Sequence, residues 1–123
     1  MNRRRTLLLV AVATATLMAG ASAQPTDRIP VSDVKPLLKL AIEHGAARGV
    51  MVGEAAAYVR QKFGSAAPIE IDVRALHALP QPGCSRLEVT TRQQDVVEQG
   101  KRADQTLTYQ VSYCRDGRFP ERK

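Results

Sequence analysis

The side chains in this sequence equipped for covalent, acid–base or metal chemistry are two cysteines, two histidines, Ser65 and a group of carboxylates. Cys84 and Cys114 lie thirty positions apart with no Cys-x-x-Cys arrangement, so nothing in the sequence lowers one thiol's pKa. In an oxidising compartment they are expected to form a structural disulfide. His44 follows Glu43, but neighbouring residues on a helix do not face each other. Zinc needs three or four converging ligands, which His44 and His77 alone cannot supply once the cysteines are bridged. Ser65 follows Gly64 without a Gly-x-Ser-x-Gly elbow, and no ordered acid and histidine come after it. Asp72 with Glu70 or Glu88 could form a carboxylate pair, because residues two apart on a strand share a face. Arg74, Arg86 and Arg92 make cross-strand ion pairs the simpler expectation. The sequence therefore predicts no catalytic residue, no metal ligand and no cofactor, and reads as non-enzymatic.

The elements that carry these residues follow from periodicity. Ser32 or Asp33 can cap a helix that starts near Val34 and keeps Pro36 in its first turn. Val34, Leu37, Leu38, Ala41 and Ile42 give it one apolar face. Ala46 to Val52 is read as a tight link between helices, with a short strand as the second choice. A second helix is expected over Glu54 to Phe63, capped by Gly64. After Pro68 the period changes to two. Ile69, Ile71 and Val73 alternate with Glu70, Asp72 and Arg74, as on a strand with one wet face. Pro80-Gln81-Pro82-Gly83 turns the chain.

Two further strands follow, Ser85 to about Gln94 and Thr106 to Cys114. A hairpin centred near residue 99 places Leu87 opposite Val111, Val89 opposite Tyr109 and Thr91 opposite Leu107. The same register sets Cys84 opposite Cys114. A slip of one residue would turn the apolar face of one strand outward, so the register is strongly specified.

The start of the chain predicts delivery. Met1-Asn2-Arg3-Arg4-Arg5 is basic, Leu7 to Met18 is mostly apolar, and Ala21-Ser22-Ala23 supplies the small residues that signal peptidase needs. Residues 1–23 are thus read as a signal peptide, removed before Gln24. The apolar run is short for a bilayer crossing, so no membrane span is expected after cleavage. The expected location is the periplasm of a bacterial-type envelope, or outside the cell. Losing Arg3, Arg4 and Arg5 takes 18 basic residues to 15 against 12 acidic, a net +3, which is weak support for nucleic-acid binding. Residues 24–31 read as a flexible lead-in, 32–115 as one small domain, and 116–123 as a basic tail.

The wet face of the last two strands offers Thr90, Arg92, Thr108 and Gln110 to a partner protein, and the tail offers Arg118 and Phe119. An exposed edge strand could also accept an added strand. Pro82-Gly83-Cys84, Val89-Thr90-Thr91 and Tyr109-Gln110-Val111-Ser112-Tyr113-Cys114 resemble small exported proteins of proteobacterial conjugation and type IV secretion systems. The resemblance covers the C-terminal half and carries over no functional residue.

The expected fold is α+β: two N-terminal helices packed on a three-stranded antiparallel meander, with Cys84–Cys114 bridging the last hairpin. The leading functional expectation is an envelope protein that binds another envelope protein, as an accessory to a secretion or conjugation assembly. The alternatives are a secreted inhibitor of a cell-wall hydrolase acting through His77–Gly83, and a small enzyme or anion-binding module using His77, Asp72 and Arg74. Closing a loop of thirty residues stabilises by about 3.6 kcal/mol in the chain-entropy model, less any strain. Cys84→Ser should accordingly lower the melting temperature by several degrees; an identical melting temperature under reducing and oxidising conditions would contradict the bridge.

Overall fold

The computed structural model describes residues 27–121; the predicted signal segment, its cleavage point and the last two residues lie outside them. The chain runs β1 (Ile29–Val31), α1 (Lys35–His44), β2 (Ala46–Met51), α2 (Glu54–Phe63), β3 (Ile69–Ala78), β4 (Cys84–Glu98) and β5 (Lys101–Cys114). Among the described residues the strands form one sheet in the order β1-β2-β3-β4-β5. The β1–β2 pair is parallel and the others are antiparallel.

The predicted three-stranded meander is therefore incorrect: the sheet has five strands and is mixed. Both added strands lie where no alternation is visible. Ile29–Val31 falls in the segment read as a lead-in, and Ala46–Met51 in the segment read as a link. The two are joined through α1 as a short β-α-β unit, and parallel pairing of that kind needs a crossover helix. Tertiary packing settles β2. A Cβ built on Gly49 would meet Leu37 Cδ1 at 2.6 Å and the Ile29 carbonyl at 3.1 Å. The glycine that looks like a strand breaker is what lets α1 lie directly on the sheet.

The helices themselves form as the sequence suggests. Asp33 Oδ1 accepts the Lys35 N–H at 2.7 Å and Pro36 sits in the first turn of α1. Gly45 and Gly64 end the two helices in left-handed conformation. The α1 stripe of Leu37, Leu38 and Ala41 is buried against Ala47, Ile71, Val73, Leu87, Val89 and Tyr113. These strand residues are all odd-numbered, so one face of the sheet is the core and the even-numbered face is wet. α2 lies toward the other end of that core face, where Ala56 is buried.

The β4–β5 hairpin has the predicted register: Leu87↔Val111, Val89↔Tyr109, Thr91↔Leu107 and Cys84↔Cys114. The cysteines are bonded at its open end. Gln99 and Gly100, both at positive φ, make the two-residue turn at the closed end, the geometry that matches strand twist. Both strands are longer than the alternation suggested, because pairing continues past an irregularity between Gln93 and Val96 where Asp95 takes a φ of 57°.

Gly49→Ala should cost about 1–3 kcal/mol through its clash with Leu37. In the Leu37→Ala background the same change should cost less, as denaturant titration of the double-mutant cycle would show. Full additivity would contradict the contact.

Candidate functional site

The wet face is organised by ion pairs. Arg28, just before β1, has only 4% of its side chain exposed and lies across β2 onto β3. Its guanidinium meets Glu70 at 2.8 Å and Asp72 at 2.9 Å, and donates to the Gly49 carbonyl at 3.0 Å. Asp72 also takes Arg48 at 3.5 Å and a close contact from Arg92. A carboxylate surrounded by three guanidiniums is a structural hub, well placed to hold β1, β2, β3 and β4 together. Arg74 donates from Nε to Glu88 Oε1 at 2.8 Å. That hydrogen bond holds the Glu88 carboxyl below its usual range and raises Arg74.

The sequence-predicted contact residues fall into two groups. Thr90 and Thr108 lie opposite each other, their hydroxyl oxygens 3.4 Å apart. Gln110 accepts from Arg86 Nε at 3.3 Å, and Arg86 Nη1 donates to Ser112 Oγ at 3.0 Å. With Arg92 these side chains form one continuous polar strip along β4 and β5. Arg118 and Phe119 sit apart, at the end of the sheet. The Arg118 carbonyl accepts the Cys114 N–H at 2.9 Å, and the Phe119 ring stacks edge-on against Tyr113 at 5.4 Å. The tail thus folds back on the disulfide end.

Sequence reasoning missed the more informative surface, which is on the core face. All residues of β5 from Lys101 to Gln110 are exposed. Leu107 and Tyr109 belong to the apolar alternation of β5, yet Leu107 is 63% exposed and Tyr109 40%. α1 covers only the disulfide end of the hairpin. Beyond it an open apolar groove of about 430 Å³ runs between α2 and β5, lined by Met51, Val59, Phe63, Ile69, Val96 and Leu107 among others. Partial burial pushes the Tyr109 phenol above its usual range. The length of the hairpin against one ten-residue helix was the available signal.

The two edges of the sheet differ. β1 is three residues long and contains Pro30, a blunted edge. β5 is fourteen residues long with neither proline nor charge from Gln105 to Cys114. The Cys84 carbonyl accepts from Leu79, which leads out of β3, so even-numbered β4 residues near this end turn their backbone groups toward β3. The Arg115 N–H donates to the Gly83 carbonyl, so odd-numbered residues join β4 to β5. In an antiparallel ladder that alternation leaves Thr106, Thr108, Gln110 and Ser112 with N–H and C=O directed out of the sheet edge. Cys114 is the next such position, and the tail closes it through Arg118.

No family profile, curated protein or solved structure matches the chain. Among the described residues no three His, Cys, Asp or Glu side chains gather as a metal site, and no helix is long and apolar enough to cross a membrane. The disulfide is the one feature here consistent with an oxidising compartment.

The lowered Glu88 pKa gives a signed prediction. Its stabilising contribution is full above the unfolded-state pKa and fades as pH falls through the lower folded value. An NMR titration of the Glu88 carboxyl should give a midpoint below the ordinary glutamate range, returning toward that range in Arg74→Gln. A midpoint unchanged by Arg74→Gln would show that the hydrogen bond is not its cause.

Proposed function

We propose that the protein is an exported, non-enzymatic envelope protein that acts by binding protein, and that β5 with the adjoining groove is its binding surface. The observation that carries this reading is the conjunction at β5: outward backbone donors and acceptors, exposed Leu107 and Tyr109, and an apolar groove on the same side. A long edge without proline, and without charge from Gln105 onward, is a template for a further strand, which soluble proteins otherwise blunt or cover. Strand addition supplies backbone hydrogen bonds for affinity and pockets for alternate side chains for selectivity. Export is supported by the predicted signal segment and by the disulfide, and a role beside a secretion or conjugation assembly by the resemblance in the C-terminal half.

In cells producing the chain, osmotic shock should release it with Cys84–Cys114 oxidised. A photocross-linker at Leu107 should give adducts larger than the chain, whereas one at Lys39 on the exposed side of α1 should not. Absence of adducts from Leu107, or equal yields from both positions, would overturn the reading.

A further inference from the structure

Resting on the reading of β5 as a strand-accepting edge, we propose that its occupant is β5 of a second copy, paired antiparallel about a twofold axis at Thr108. The two sheets then become one of ten strands.

The case is self-complementarity in a single register. Two β5 strands related by this axis pair positions whose numbers sum to 216. Thr108 meets its own counterpart, Thr106 meets Gln110, and Asp104 meets Ser112. Each of these is an even-numbered position, so each has its backbone N–H and C=O on the free side, as hydrogen-bonded pairs of an antiparallel ladder require. On the core face the same register sets Leu107 of one copy against Tyr109 of the other, twice. These are the two large apolar residues that the strand exposes, 63% and 40% exposed in the single chain. Aromatic–aliphatic cross-strand pairs are favourable contacts.

Charge agrees on the wet face. Arg86 bonds Gln110 and Ser112 but lies within ion-pair reach of no carboxylate among the described residues. Asp104 shares the polar hollow of that face with Arg92 and Thr106, and one of its oxygens accepts the Asp95 N–H at 3.0 Å. In the paired state the partner's Asp104 stands beside Ser112 and hence beside Arg86, twice by symmetry. The Thr90–Thr108 pair becomes a row of four threonines.

The other sources of a strand fit less well. The described chain enters the sheet at β1, the opposite edge, four strand spacings or about 19 Å from β5. An unrelated partner would have to match both faces of β5 at once, whereas β5 matches itself on both. The tail sets the limit of pairing, since it occupies the edge at Cys114; contact runs over 104–112.

Sedimentation of the full chain, exported and purified with its disulfide intact, should give a mass twice that of one chain at tens of micromolar. Thr108→Pro removes an outward N–H and the hydroxyl facing Thr90 but no backbone bond to β4, and should weaken association at least tenfold while far-ultraviolet circular dichroism is kept. Leu107→Glu, at an exposed site, should do the same if the proline variant fails to fold. Nitroxide labels at Ala103 should lie about 34 Å apart between copies, ten strand positions, while labels at Thr108 should broaden each other by close approach. A monomer at 200 µM, a dimer indifferent to both substitutions, or a dimer with other label distances would overturn the proposal. If the chain is monomeric but Leu107 still cross-links to a different protein, the β5 reading stands and the second copy is excluded; if Leu107 cross-links to nothing, both fall.

Discussion

The pairing of β4 with β5 is the constraint on which the rest of the molecule depends. One register satisfies the Leu87–Val111 and Val89–Tyr109 pairs, sets Thr91 beside Leu107 and brings the cysteines together, with a two-residue turn closing one end and the disulfide the other. Because side chains alternate strictly, that register decides which face of every other strand can be dry. β3 is paired to β4 with Val73 beside Val89, and β2 to β3 with Ala47 beside Val73. The core face is thus continuous from β2 to β5, and α1 lies across it.

The same pairing creates the proposed binding surface. The hairpin is far longer than the helix that covers it. The apolar side chains nearest the disulfide are buried, while Leu107 and Tyr109 are left beside the groove under α2. On the opposite face the Arg28–Asp72–Arg92 network ties β1 to β4, while Arg86 of β4 reaches over β5 to the neutral Gln110 and Ser112. Stability and the proposed binding therefore draw on one strand: its odd-numbered backbone groups hold the sheet together, and its even-numbered ones face out of the sheet edge.

The C-terminal half was largely legible in the sequence, because alternation, turn chemistry and the cysteines agree on one answer there. The N-terminal half was not. β1 is too short to show a period, and its Pro30 and exposed Ile29 argue against a strand locally. β2 is dominated by small residues, and Gly49 weakens any strand propensity; only the approach of Leu37 explains it. Parallel pairing across a helix is a non-local event, and nothing in a six-residue window records it. For the candidate surface, Thr90, Arg92, Thr108 and Gln110 were placed together correctly from alternation. The exposure of Leu107 was not foreseen, since burial depends on where the helices stop and not on the strand's own pattern. Asp72, a candidate for chemistry on spacing alone, is instead enclosed by arginines.

The central claim is that the free edge of β5 is completed by another strand, and backbone amide exchange reads it directly. With the protein concentrated, the amides of Thr106, Thr108 and Gln110 should exchange about as slowly as those of Leu107 and Tyr109, which bond to β4, and should speed up on dilution. If the even-numbered amides exchange at unprotected rates at every concentration while the odd-numbered ones stay protected, β5 is a bare edge in solution and the account is wrong.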